Sequence, residues 1–196
     1  RLVQGLAGLA GRAEMVAVVF NRVDQTSDLR VYDAATGDLR ATIPMGGAVQ
    51  SVVASPDGSR AFVVEMIAPD PAFRVSVYDA AAGTLTSWEP MEGTPMAVAV
   101  SAAGDRLHFS LQVQNADPSG NLLQENRLET WDTATGQRLN RVVVSENWSS
   151  LEPTWEGERA YATPGGRRGG NVVLLDLATG APVEALSIAA SGIKLS

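Results

Sequence analysis

Four times in this chain a β-rich run ends in an aspartate, a few small residues and a glycine. The four segments are Val31-Tyr-Asp-Ala-Ala-Thr-Gly37, Val77-Tyr-Asp-Ala-Ala-Ala-Gly83, Thr130-Trp-Asp-Thr-Ala-Thr-Gly136 and Leu174-Leu-Asp-Leu-Ala-Thr-Gly180. This is tight-hairpin chemistry: the Asp side chain bonds the backbone ahead of it, and Gly takes a positive φ that other residues resist. The glycines lie 46, 53 and 44 residues apart, the cadence of a unit of about four short strands.

A second turn falls between these hairpins: Ser55-Pro-Asp-Gly58, Ser101-Ala-Ala-Gly104 and the degenerate Thr154-Trp-Glu-Gly157. From Gly37 to Gly58, Gly83 to Gly104 and Gly136 to Gly157 the spacing is 21 residues each time. One part of the repeat is therefore held to constant length while the rest varies. The expectation is an all-β chain, a β-propeller of four-stranded antiparallel blades with about four blades visible. Strand A runs near Val49–Ala54, Met96–Val100 and Ser150–Thr154. Strand B runs near Val16–Phe20, Ala61–Met66, Leu107–Val113 and Arg159–Thr163. Strand C leads into each Asp hairpin, and strand D follows it, as at Leu39–Pro44 and Leu139–Val144. The whole of 1–196 reads as one propeller domain or segment, with blades near 1–46, 47–92, 93–147 and 148–190 and the start of another at 191–196. Leu2 to Gly11 resembles a first strand A, and Gly192–Ser196 resembles the start of a further one.

At these residues the sequence resembles the bacterial YVTN-type β-propeller repeat. Tyr32-Asp-Ala-Ala-Thr-Gly37, Thr42-Ile-Pro44, Gly46 and Ser55-Pro-Asp-Gly58 followed by Arg60-Ala-Phe-Val-Val64 carry the match, which decays toward the C-terminus. The resemblance implies surface-layer-like proteins, binding subunits or amine-dehydrogenase-like propellers as relatives, and a periplasmic or extracellular setting. It also implies a larger ring of about seven blades, so the expectation is further blades, a small closed ring or self-association of two chains.

Composition narrows the partners. A net charge of −7, with Lys194 the sole lysine, argues against a nucleic-acid backbone, which needs clustered cations. The absence of cysteine excludes disulfides, thiolate metal sites and Cys nucleophiles. No apolar run is long enough to span a bilayer. No signal peptide is visible, although the chain starts at Arg1 rather than Met.

Residues present in every repeat are read as structural. Asp33, Asp79, Asp132 and Asp176 are expected to cap turns rather than pair as catalytic carboxylates, and Arg60, Arg106 and Arg159 to lie on surfaces or between blades. His108, the sole histidine, falls in a slot held elsewhere by Phe62 and Tyr161, and packing is the expectation. No catalytic residue is assigned.

Residues that break the repeat are the better functional candidates. Glu152 replaces Val53 and Ala99, and it stands between Trp148 and Trp155. Asn147, Trp148, Glu152 and Trp155 therefore form the candidate ligand site, with an acid between indoles suited to a polar or cationic ligand. The insert Gln114–Asn126 lengthens one B–C loop. Its Asn115, Asp117, Ser119 and Asn121 echo the start of an EF-hand calcium loop, but Asn126 stands where the bidentate Glu belongs. Calcium is the one cofactor with any pattern behind it, and a solvated loop is the favoured expectation. Arg167 and Arg168, set among glycines, could meet an anion but lack the Lys-Ser/Thr of a phosphate loop.

The function expected is a non-catalytic binding scaffold. It would present Met45–Gly47, Met91–Thr94, Glu146–Trp148 and the insert to a protein or small ligand. The alternatives are a propeller subunit of an amine-dehydrogenase-like or lactonase-like enzyme, with its chemistry elsewhere, and a cell-envelope structural protein.

Overall fold

The computed structural model describes residues 2–24, 26–67, 72–117, 119–165 and 172–186. Arg167, Arg168 and Gly192–Ser196 lie outside the described residues. Among the described residues sixteen strands form four antiparallel sheets, each of four strands in sequence order. The first sheet is β1 (Leu2–Leu9), β2 (Glu14–Asn21), β3 (Thr26–Asp33) and β4 (Leu39–Met45). The second is β5 (Val49–Ala54), β6 (Arg60–Ile67), β7 (Ala72–Asp79) and β8 (Thr84–Ser87). The third is β9 (Thr94–Val100), β10 (Arg106–Ala116), β11 (Leu122–Asp132) and β12 (Arg138–Val144). The fourth is β13 (Trp148–Pro153), β14 (Arg159–Pro164), β15 (Val172–Asp176) and β16 (Pro182–Leu186). Among the described residues there is no α-helix, only a 3-10 turn at Ala10–Arg12, and no helix long and apolar enough to cross a membrane.

The repeated aspartates act as the turn chemistry requires. Asp33 Oδ1 accepts from the backbone N–H of Ala35 at 2.8 Å and Thr36 at 2.9 Å, and Gly37 N–H donates to the Asp33 carbonyl at 2.9 Å. Gly37 sits at φ 77°, which a side chain would oppose. The backbone bonds from Thr36 and Ala35, then the bond from Arg40, hold the Asp33 carboxyl below the usual range. Arg40 also reaches Glu14 at 3.0 Å. Glu14 and Asp33 are directly opposite across β2 and β3, so the guanidinium relieves a like-charge cross-strand pair. Asp79 and Asp176 make the equivalent bonds to their own turns.

The constant 21-residue unit is strand D, a short connection and strand A of the next sheet, as β4 and β5 illustrate. Its closing turn survives degeneration. Ser55 N–H donates to the Arg60 carbonyl at 2.9 Å, and Thr154 N–H does the same to Arg159 at 2.8 Å. Gly157 keeps φ 75° where Gly58 has 66°.

Two compact units divide the chain: Arg1–Pro95 with Ala134–Gly136, and Met96–Thr133 with Gln137–Ser196. The first unit holds β1–β8. Its core joins Leu9, Val16, Val18, Leu29 and Val31 of the first sheet to Val49, Ala61, Val63 and Tyr78 of the second. In β3 burial alternates from Ser27 to Val31, the period of two by which a strand sends one face inward. The second unit holds nearly all of β9–β16, with a core of Ala99, Leu128, Trp148, Leu151, Ala160, Ala162, Leu175 and Leu177. Each fully buried Leu or Val stabilises by roughly 1.5–3 kcal/mol, so each pair of sheets has reason to hold together.

Candidate functional site

His108 lies in β10 directly opposite Thr130 of β11. Only 2% of it is exposed, in keeping with a packing slot. Its ring Nδ1 is 3.0 Å from Thr130 Oγ1, and Nε2 is closed to solvent with no partner. Burial, reinforced by the Arg106 charge and opposed by Asp105, lowers its pKa to about 4. At neutral pH the ring is therefore uncharged, with one nitrogen a donor and the other an acceptor. An unpaired buried polar atom costs about 1–3 kcal/mol.

Unlike a packed aromatic, His108 borders open space. A cleft of about 480 Å³ is lined by Arg106, His108, Thr130, Leu139, Asn140, Gly157, Glu158, Asp176, Leu177 and Ala178. It runs between the third and fourth sheets, where Asn140 Nδ2 donates to the Ala178 carbonyl at 2.9 Å. Two further clefts adjoin it. One of about 150 Å³ is bordered by Asp105, Arg106, Trp155, Glu156 and Glu158, and one of about 410 Å³ by Glu156, Glu158, Arg159 and Tyr161. Glu158 borders all three. Hydrogen bonds from the Thr179 hydroxyl and backbone keep the Asp176 carboxyl below its ordinary range.

The structure does not gather Asn147, Trp148, Glu152 and Trp155 into one pocket. Trp148 opens β13 and is buried in the core of its unit, with the indole Nε1 unpaired and the backbone N–H donating to Ser110 Oγ at 3.3 Å. Asn147 is half-buried; its carbonyl accepts from Gly165 N–H at 2.6 Å, and its Oδ1 has no partner. Glu152 is exposed, opposite Tyr161. Trp155 is 81% exposed, in the turn beyond the far end of the strand. At about 3.3 Å per residue, the two indoles attach roughly 20 Å apart. A register shift between Trp148 and Ser150 also offsets the alternation that would align Trp148 with Glu152.

The insert is mostly sheet rather than loop. β10 and β11 pair without interruption from Gln112–Asn126 to Ala116–Leu122, because the residues either side of the turn continue the antiparallel ladder. Of the calcium candidates, Asn115 is in strand opposite Leu123. Asp117 caps the turn: Oδ1 accepts from Ser119 N–H and Asn121 N–H, each at 2.8 Å, and Oδ2 accepts from Asn121 Nδ2 at 2.9 Å. The Asn121 side-chain bond is the largest of several that hold the Asp117 carboxyl low. A cation would compete with these turn bonds for both oxygens. Among the described residues no three His, Cys, Asp or Glu side chains cluster as metal ligands would.

Two buried acids escaped the sequence reading. Glu65 Oε1 accepts from Arg74 Nε at 2.9 Å and from Ser76 Oγ, which in turn is 2.8 Å from Ser87 Oγ. Its Oε2 has no partner. Glu129 is fully engaged, accepting from Trp131 Nε1 at 3.0 Å and Arg141 Nε at 2.7 Å, with Arg138 Nη1 at 3.5 Å. The signal for Glu65 was present, since the same strand slot holds Val19 and Leu111 in the neighbouring sheets.

No family model matches the sequence, and no curated protein matches it. Solved structures do match its fold. Kuenenia stuttgartiensis hydrazine synthase aligns with a TM-score of 0.64 at 13% identity, over 89% of this chain and 64% of that one. The Neurospora crassa Pan2 WD40 domain aligns with a TM-score of 0.67 at 10% identity, over 97% and 54%. The tricorn protease aligns with a TM-score of 0.57 at 13% identity, over 78% and 14%. The fold is that of a β-propeller. The chain spans less than two thirds of each of these structures, and at such identities the likeness speaks to architecture alone.

Proposed function

We propose that the chain is a non-catalytic binding scaffold of propeller blades, of the YVTN-type repeat and working in a bacterial envelope or extracellular setting. It presents the β10–β11 hairpin, beside the Glu146–Trp148 connection, to a protein partner. One observation carries this reading. The hairpin outruns β12, whose last residue Val144 pairs with Asn126, and its end bears Leu122 at 73% and Leu123 at 55% exposure. Two adjacent leucines on a two-stranded projection leave apolar surface and backbone edge for a partner to cover.

Site-specific photo-crosslinking in the native host tests this, with the crosslinker at Leu122 and, as control, at the 88% exposed Val23. A discrete adduct at position 122 that disappears with Leu123→Ser is expected. Equal labelling at both positions would refute it.

A second reading, a propeller segment of an enzyme, is favoured by the His108 cleft, whose lining holds a neutral imidazole together with Glu158 and Asp176. His108 has a threonine rather than a carboxylate at Nδ1, which leaves it without the orienting acid of a catalytic triad.

A further inference from the structure

The two clefts that share Arg106, Gly157 and Glu158 have a charge balance and a lining that point to a ligand class. Their carboxylates are Asp105, Glu156, Glu158 and Asp176, against two guanidiniums: Arg106, which is 3.7 Å from Asp105, and Arg159, which stands opposite Asp176 and acts on its carboxylate. His108 adds no positive charge, and its Nε2 lacks a partner inside a residue only 2% exposed. Trp155 offers an indole face at the rim, on a turn where the other blades carry Pro56 and Ala102. An indole beside carboxylates attracts an organic cation and repels an anion. The larger cleft, about 480 Å³, has room for a small molecule or one long side chain.

We propose that this groove between the third and fourth sheets binds a primary ammonium group, with Glu158 and Asp176 as its counter-charges, Trp155 over its alkyl chain and His108 in the wall. The site stands apart from the hairpin reading. His108 is near the start of β10 and the Asp117 turn follows its end, nine residues along the strand from His108, or about 30 Å. Either proposal can fail alone.

His108 is the sole histidine, so its imidazole signals in a ¹H–¹³C spectrum need no assignment. The protein would be titrated at pH 7 with butylammonium, a capped lysine amide, butanol and butyrate. Saturable His108 shifts with the two ammonium probes are expected, with much weaker effects from butanol and none from butyrate. Tighter binding of the capped lysine would mark a protein-chain source, and tighter binding of butylammonium a free amine. Glu158→Gln should weaken ammonium binding about three- to tenfold, and Trp155→Ala about threefold. Both side chains are exposed, so both variants should fold, and an unchanged thermal transition would confirm that. No saturable shift, butyrate binding as well as the amines, or indifference to Glu158→Gln would overturn the proposal.

Discussion

Phe62 and His108 occupy the same slot in successive sheets, each two residues after the arginine that opens strand B. In the second sheet Phe62 is buried against the Trp88 ring, centroids 6.0 Å apart, with the Arg60 guanidinium over the Phe62 ring, 6.0 Å from its centroid. In the third, His108 is just as buried but faces Thr130 and a cleft. The backbone register is the same, with Arg60 opposite Asp79 and Arg106 opposite Asp132. The repeat thus fixes where a side chain stands, while its neighbours decide whether that position is solid core or the wall of a site.

The sharpest way to break this comparison is to empty both slots. Phe62→Ala should cost about 3–5 kcal/mol, because a packed ring leaves a cavity. His108→Ala should cost distinctly less, since space already lies beside it. Urea unfolding that gave equal losses would mean the two slots are packed alike.

Acid should discriminate next. His108 titrates near 4 when folded and near 6.5 when unfolded. The unfolded chain takes the proton first, so this contribution is complete above about pH 6.5 and is lost as pH falls toward 4. It amounts to at most about 3 kcal/mol. His108→Phe should remove that part of the pH dependence while costing under about 1.5 kcal/mol at pH 7, the volumes being similar. Unfolding curves at pH 7 and 4.5 for both proteins would reveal an unchanged pH dependence if His108 were not responsible. At the small end, Trp155→Ser should move stability by no more than about 0.5 kcal/mol, since that indole is exposed. A larger loss would make it a packing residue.

How much of this was legible in the sequence follows from what each feature depends on. The hairpins depend on local chemistry, a side-chain oxygen and a residue able to turn, so Asp33 with Gly37 and the degenerate turn ending at Gly157 could be read directly. The strand bounds followed, with strand A foreseen at Val49–Ala54 and found there. The grouping of Trp148, Glu152 and Trp155 assumed that nearness in sequence meant nearness in space, which an extended strand with a register shift denies. The cleft joins Arg106 and His108 to Glu158 and Asp176, at least fifty residues later, and no local pattern links them. Glu65 was hidden inside the otherwise apolar run from Ala61 to Ile67, although comparison with Val19 and Leu111 would have exposed it.

The cleft and its wall turn on the state of His108, and a pH titration of its imidazole by NMR measures that state. The slot described here predicts a single transition near pH 4, with the ring neutral throughout the range from 6 to 8. A midpoint near 6.5, the value of a solvated histidine, would contradict both the buried neutral ring and the cleft built around it.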